Sequence, residues 1–262
     1  MLKSGIAKWN SNRPDQERDC LMKAMILAAG RGTRLQHLTR SKPKALIEIK
    51  GKTLLELLII RLKTFGFNEI IINAHHFSEQ IQSFLQAKNN FGMRIELSIE
   101  NELLDTGGGL KKAGWFFDDN KPFLLHNVDV LTDLDYGELF ARHESTKALA
   151  TLAVRQRKSN RYLLTDGQHV LCGWENSESG EHRLVREPKG TLQRVSFMGI
   201  HIIAPPLIPL LNGRRIFPII DAYLQLAAQH IIYLHSCDRF RWLDLGKPQH
   251  LAEAETLFTD YF

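Results

Sequence analysis

Leu27-Ala28-Ala29-Gly30-Arg31-Gly32-Thr33-Arg34-Leu35, with Lys42-Pro43-Lys44-Ala45-Leu46 a short way on, is the stretch from which the fold of this chain is read. Residues 23–29 form an apolar run of strand length, ended by Gly30 and Gly32. Glycines just past a buried strand let backbone amides come close to an anion with no Cβ in the way. Arg34 and Lys44 add positive charge where a triphosphate would lie. A plain strand-to-helix turn with a basic surface would account for the glycines, but not for the long pairing of Gly-Arg-Gly-Thr-Arg with Lys-Pro-Lys-Ala-Leu. Two better-known glycine loops are rejected. A dinucleotide fingerprint needs Gly or Ala where Leu35 stands. A P-loop ending at Gly51-Lys52-Thr53 needs a glycine where Leu46 stands.

Outward from this loop, strand-like and helix-like segments alternate, the pattern of βαβ units and a mostly parallel sheet. Residues 53–65 have apolar groups at helical spacing (Leu54, Leu57, Leu58, Leu62, Phe65) and stop at Gly66. Strands are expected at 69–74 and 94–99, with a helix at 78–88 between them. Gly107, Gly108 and Gly109 are expected to precede another helix, and a strand at 121–126 delivers Asn127, Val128 and Asp129. From residue 148 the segments shorten and turn signals multiply (Asp166-Gly167, Ser179-Gly180, Lys189-Gly190), which predicts a smaller antiparallel β lobe over the sheet. A helix after Pro218, a strand at 231–235, a strand end at Trp242-Leu243-Asp244 and a helix at 248–258 complete the chain.

The composition, 44% hydrophobic and 24% charged, suits one folded domain and excludes wholesale disorder. Lys plus Arg exceed Asp plus Glu by 34 − 29 = 5 without forming a stripe or patch, so no nucleic acid is expected as partner. Cys20, Cys172 and Cys237 have neither disulfide-framework nor zinc spacing. No apolar run has the length of a signal peptide core or a membrane span, so a soluble cytoplasmic protein without a membrane partner is expected. Residues 1–21 are largely polar and are expected to be a tail.

The glycine loop and the Pro-Lys-Ala-Leu segment resemble the signature of the sugar-1-phosphate nucleotidyltransferases, Leu-Ala-Ala-Gly-x-Gly-[Thr/Ser]-Arg followed by a Pro-Lys-Ala-Leu-like stretch. The resemblance runs from Lys23 to the last helix and is greatest to the compact bacterial muramate uridylyltransferases and mannose-1-phosphate guanylyltransferase-like proteins. It implies an α/β fold with a Rossmann-like, mostly parallel sheet flanked by helices. Residues 22–262 would form one domain, with 22–147 binding the nucleotide and 148–262 the sugar. The implied cofactor is Mg2+, the partners are an NTP and a sugar 1-phosphate, and the oligomer is a monomer or homodimer.

By the same resemblance, Leu27, Ala28, Ala29, Gly30, Arg31, Gly32, Thr33, Arg34 and Lys44 would bind the nucleotide, with Asn127. Asp105, Thr106, Gly107 and Gly108 match the family's Leu-[Gly/Glu]-Thr-Gly-Gly loop on the base side, where glycine permits close approach. Singly, Asp129 or Asp244 reads as a cap or turn residue. Both fall at apparent strand ends, where ligands bind in open α/β sheets, and magnesium typically takes one or two carboxylates with phosphates and water. Their Asn-x-Asp-Val and Trp-x-Asp-hydrophobic-Gly contexts match the family's metal ligands, although Val128 stands where many relatives have Gly. Glu187-Pro188-Lys189 resembles a Glu-Lys-Pro sugar-phosphate segment with two residues exchanged. Tyr162 and Gly199, with Ser159, Asn160, Arg161 and Phe197, would line the same pocket, although ordinary β-lobe roles suit them as well.

The implied catalytic set is Arg34, Lys44, Asp129 and Asp244, for in-line attack of a sugar phosphate on the α-phosphorus. The closeness of residues 105–109 to the loop of the muramate uridylyltransferases points to UTP and an N-acetylated hexose 1-phosphate, in cell-wall or surface-polysaccharide synthesis. The alternatives are a mannose- or heptose-1-phosphate guanylyltransferase, a phosphocholine cytidylyltransferase using Trp174 and Tyr162 as an aromatic box, and a non-enzymatic nucleotide-sugar sensor.

Overall fold

The computed structural model describes residues 22–30, 32–211 and 213–261; the expected tail at 1–21 and Arg31 lie outside these, as does the side chain of Thr33. In chain order the first half contains β1 (Met22–Leu27), β2 (Glu48–Ile49), β3 (Lys52–Thr53), α1 (Leu54–Thr64), β4 (Phe67–Ala74), α2 (Ser78–Ala87), β5 (Arg94–Ile99), α3 (Asp105–Ala113), β6 (Phe123–Asn127), β7 (Val130–Thr132) and α4 (Tyr136–Thr146). The second half contains β8 (Ala150–Arg155), β9 (Arg161–Thr165), β10 (Leu171–Asn176), β11 (His182–Leu184), β12 (Gln193–Ile203), α5 (Leu207–Leu210), α6 (Ile219–Ala227), β13 (Ile232–Ser236), β14 (Trp242–Asp244) and α7 (Pro248–Leu257).

Helix α1 begins where Thr53 turns its hydroxyl onto the Glu56 amide, an N-cap that satisfies one of the first turn's free donors. Alternate residues of β1 face opposite cores, as strand pleating requires. Ala24 and Ile26 pack with Leu58 and Leu62 of α1. Met25 and Leu27 pack with Leu110 of α3 and Tyr223 of α6. The sheet is therefore covered on both faces, which explains why its parallel strands read as continuous apolar runs.

The sheet is mixed and ten-stranded, with β11-β10-β9-β12-β6-β1-β4-β5 in order, β8 attached at β12 and β13 at β8. Strands β4 and β6 lie on either side of β1, both parallel to it. The chain steps from β1 outward to β4 and β5, then returns to the other side as β6. The carboxyl ends of β1 and β6 thus form a topological switch point, the crevice where open α/β sheets bind ligands.

The expected antiparallel part is formed by β9–β11, which join the sheet through the long strand β12. Strand β12 serves both parts because its pairing with β8 shifts register between Phe197 and His201, around Gly199 at φ +80°. One expectation is corrected, at α3. The three glycines do not precede α3 but lie within it, since the helix starts at Asp105.

A third apolar cluster joins Leu131 and Leu243 of the β7–β14 ribbon to Leu35, Leu54, Ala254 and Phe258, so α7 backs the ribbon. Arg241 reinforces it by donating to Asp133 and, through two nitrogens, to Asp260. No helix among the described residues is long and apolar enough to cross a membrane.

Candidate active site

At the switch point lies a cavity of about 280 Å³. Leu27, Ala28, Ala29 and Gly30 form one wall, Asn127 and Asp129 another, and Asp105 and Thr106 a third, with Lys44 also lining it. Gly32 sits nearby at φ +62°, where a Cβ would come 2.8 Å from the Thr39 methyl and 3.3 Å from the Lys44 Cβ. The positive φ and the close approach both require glycine there.

The walls are held together by a buried pair that sequence reasoning missed. Asn73 Oδ1 accepts the Ala28 amide at 2.7 Å, and its Nδ2 donates to Glu100 Oε1 at 2.8 Å. Glu100 Oε2 accepts the Leu104 amide at 2.9 Å. Both side chains belong to residues only 2% exposed. A buried carboxylate is tolerable only when hydrogen-bonded, and here its bonds tie the glycine loop after β1 to the turn before α3. The available signal was an Asn ending the apolar run 70–72 and a Glu just past the next strand.

Asp129 and Asp244, remote in sequence, come together through the β7–β14 ribbon. Asp244 is paired with Val130, and the Leu245 amide donates to the Asp129 carbonyl at 2.8 Å. Lys44, buried to 8% exposure, donates from Nζ to Asp129 Oδ2. Asp244 Oδ1 accepts the Gly246 amide at 2.7 Å. A Cβ on Gly246 would stand 2.7 Å from Arg34 Nη2 and 2.8 Å from Asp244 Oδ1, so the guanidinium lies against this turn.

This donor set suits a hard divalent cation: two carboxylates on hydrogen-bonded neighbouring segments, with Lys44 already supplying positive charge to one of them. Among the described residues no cluster of three or more His, Cys, Asp or Glu forms. A cation here would therefore complete its shell with substrate oxygens and water, as magnesium commonly does.

Gly107 and Gly108 pack against residues 215–217. Their amides both donate to the Phe217 carbonyl, at 3.0 and 3.3 Å. Cβ atoms would meet the Phe217 ring at 2.3 Å and the Arg215 carbonyl at 2.4 Å. The glycines let residues 215–217 lie across the start of α3. Thr106 joins them there, its Oγ1 accepting the Ile219 amide at 2.9 Å. Asp105, at φ +60°, remains on the cavity wall.

A larger cavity of about 560 Å³ opens between β9, β10 and the start of α6. Tyr162 lines it with Ser159, Asn160, Arg161 and Phe197, and so do Arg157, Trp174 and Arg183. Gly199 lies elsewhere, backing Asn127; a Cβ there would fall 2.7 Å from Asn127 Nδ2. Glu187 and Lys189 do not line this cavity. Both are exposed, and the Lys189 amide donates to Asp166 just beyond the end of β9, whereas Tyr162 stands at its beginning. The Asp166–Gly167 turn draws this segment away.

His126, next to the site, is held in place by its neighbours. His126 Nδ1 meets the Asn127 carbonyl and its Nε2 the Tyr136 hydroxyl. Burial lowers its pKa to about 4, so it is neutral near pH 7.

A family model described as nucleotidyl transferase matches residues 23–168. A UTP–glucose-1-phosphate uridylyltransferase of Synechocystis is 31% identical over 251 residues, covering 86% of this chain and 60% of the relative. A mannose-1-phosphate guanyltransferase of Yarrowia lipolytica is 29% identical, covering 90% of this chain and 64% of the relative. The chain thus spans less than two thirds of the length of these relatives. Among solved structures, HddC of Yersinia pseudotuberculosis complexed with GMP-PN superposes with TM-score 0.71 at 21% identity, covering 91% of this chain and 100% of that one. A UDP-glucose pyrophosphorylase complexed with UDP-glucose gives TM-score 0.72 at 16% identity, covering 92% and 100%. At these identities the two structures share the fold.

Proposed function

The chain belongs to the nucleotidyl transferase family, and from that premise we propose that it transfers a nucleoside monophosphate from an NTP to a sugar 1-phosphate, releasing pyrophosphate. The observation that carries the reading is the contact of Lys44 with Asp129 on the wall of a glycine-walled cavity, with Asp244 on the segment hydrogen-bonded to Asp129. A new bond forms between a sugar-phosphate oxygen and the α-phosphorus, and the bond from that phosphorus to the pyrophosphate oxygen breaks. The attacking phosphate is already ionised at neutral pH, so the protein needs to orient and neutralise charge, not to supply a strong base.

Asp129 and Asp244 would hold magnesium, whose positive charge would offset the negative charge of the reacting phosphates. Lys44 would exchange part of its contact with Asp129 for the triphosphate. Arg34, beside Gly246, would turn toward the leaving pyrophosphate. The amides of Ala29, Gly30 and Gly32 would face the phosphates, while that of Ala28 stays with Asn73.

UTP is the proposed donor and an N-acetylated hexose 1-phosphate the proposed acceptor, on the resemblance of residues 105–109 to the uridylyltransferase loop. The relatives by name divide between uridylyl and guanylyl transfer, which makes mannose-1-phosphate guanylyl transfer the second reading. An aromatic box for phosphocholine is disfavoured. Arg183 already lies over the Trp174 ring, 5.4 Å from its centroid, and a trimethylammonium group would meet that charge. Pyrophosphate release, measured with magnesium, each NTP and a panel of sugar 1-phosphates, tests the class. Equimolar UTP, GTP, CTP, ATP and dTTP in competition test the base. A GTP preference of about tenfold, equivalent to ~1.4 kcal/mol, would replace the uridylyl reading without touching the class.

A further inference from the structure

The acceptor's phosphate must lie beside Asp129 and Asp244 while its sugar occupies a cavity large enough to hold it. The 560 Å³ cavity offers the room, and a cation is needed on the side of it that faces the aspartates. Lys189 is held at the Asp166 turn. Lys44 is engaged with Asp129.

Arg157 stands at this junction. It lines the cavity, and its guanidinium carbon lies 4.9 Å from the ring centroid of Trp242, two residues before Asp244 on β14. Arg155 approaches the same ring at 5.8 Å, and its Nε is buried without a hydrogen-bond partner among the described residues. Trp242 is itself fixed, its indole N–H donating to the Met198 carbonyl at 2.8 Å. The backbone carrying Arg157 is pinned on both sides. The Gln156 amide donates to Asp238 at 2.6 Å, and Ser196 Oγ donates to the Arg157 carbonyl at 3.2 Å.

Neither arginine has a carboxylate within ion-pair distance among the described residues, unlike Arg183, which contacts both Glu181 and Asp221. Two guanidinium groups thus gather around one indole, one of them lining the cavity, with no counter-ion. Partial desolvation lowers the pKa of Arg157, and the nearby Asp244 carboxylate opposes this. The group remains cationic at neutral pH, and a planar guanidinium matches two oxygens of a phosphate at once.

We propose that Arg157, backed by Arg155 and seated on Trp242, binds the phosphomonoester of the acceptor and so joins the sugar cavity to the metal aspartates. The proposal rests on the reading of the chain as a sugar-1-phosphate nucleotidyltransferase. It transfers to Arg157 the role that the sequence resemblance gave to Lys189.

The test uses the full chain and calorimetric titration with glucose 1-phosphate, mannose 1-phosphate, N-acetylglucosamine 1-phosphate and inorganic phosphate. Titrations are run with magnesium and non-hydrolysable UTP and GTP analogues, and again without them. Arg157→Ala is expected to weaken binding of the best sugar phosphate by about tenfold or more, the loss of a charged hydrogen-bonded contact. Arg157→Lys should restore part of it. Lys158→Ala removes the same charge from the next residue and should change binding by less than about twofold. The KM for the NTP should stay within about twofold of wild type in Arg157→Ala, while that for the acceptor rises.

Equal weakening by Arg157→Ala and Lys158→Ala would overturn the proposal in favour of a diffuse field. Unchanged binding in a folded Arg157→Ala, or no binding of any probe to wild type, would also overturn it. Pyrophosphate release by wild type is measured separately. Its absence alongside an intact Arg157-dependent binding would sink the enzymatic reading and leave the phosphate site standing.

Discussion

The two cavities are built in opposite ways. The switch-point cavity is made of backbone and of polar groups fixed by burial: Lys44, Asn73 and Glu100 are all less than a tenth exposed. The larger cavity is made of side-chain heads on exposed strands and loops; Arg157, Arg161 and Arg183 are all exposed. In the first, removing one group leaves its partners buried and unsatisfied. In the second, water can replace what is removed. One region should therefore couple function to stability, and the other should separate them.

The most severe way to probe this contrast is at the paired aspartates. Asp129→Asn and Asp244→Asn are expected to lower turnover by about a thousandfold or more, as loss of a metal ligand at the reacting phosphates would. Circular dichroism should show the fold intact. Near-normal magnesium-dependent turnover in either variant would remove that residue from the mechanism.

Glu100 distinguishes the regions through stability. Glu100→Ala leaves the Leu104 amide and the Asn73 side chain without their acceptor, and is expected to cost about 3 kcal/mol in urea unfolding. Arg161→Ala, on the cavity rim, should stay within about 0.5 kcal/mol. Comparable losses at both positions would break the contrast.

Acid should act on the buried side as well. His126 and His201 have pKa values lowered by burial to about 4 and about 3, against 6.5 for an ordinary histidine. Below pH 6.5 the unfolded chain takes up protons that the folded chain refuses. Stability is therefore expected to be level with respect to these groups above pH 6.5 and to fall as pH drops toward 4, by about 1–3 kcal/mol per histidine. Unfolding midpoints measured between pH 4 and 7 check this (about the range spanned by the shift), and His126→Gln should flatten part of the slope. A slope unchanged in that variant would assign the acid sensitivity elsewhere.

The same contrast explains what could be read before the structure. The glycine loop was legible because it ends a buried apolar strand and because a positive φ and the approach of Thr39 and Lys44 restrict residue type at Gly32. Strands β1, β4 and β6 were legible because burial on both faces leaves continuous apolar runs. Asp129 and Asp244 were singled out through their sequence contexts alone, since pairing between β7 and β14 leaves no local periodicity. The packing of residues 107–109 was not legible, because a glycine that lets another segment approach looks the same as one that admits a ligand; the neighbours that crowd Gly107 and Gly108, Phe217 and Arg215, lie more than a hundred residues away. Asn73 and Glu100 were missed for a similar reason, each being an ordinary strand-end residue until the other is placed beside it. Arg157 was hidden in a short basic segment that resembles a solvated surface. Its partners Trp242 and Ser196 come from strands that sequence spacing does not bring together.

Phosphorus NMR of the complete reaction tests the central claim most directly, because it follows the donor, the acceptor and both products at once. The chain, magnesium, the NTP preferred in competition and the best-bound sugar 1-phosphate are expected to give one nucleoside diphosphate-sugar and one pyrophosphate for each acceptor consumed. Both signals should vanish with chelator and in Asp129→Asn. Release of nucleoside monophosphate and pyrophosphate while the sugar phosphate remains unconsumed would contradict the account and make the protein a hydrolase of NTPs.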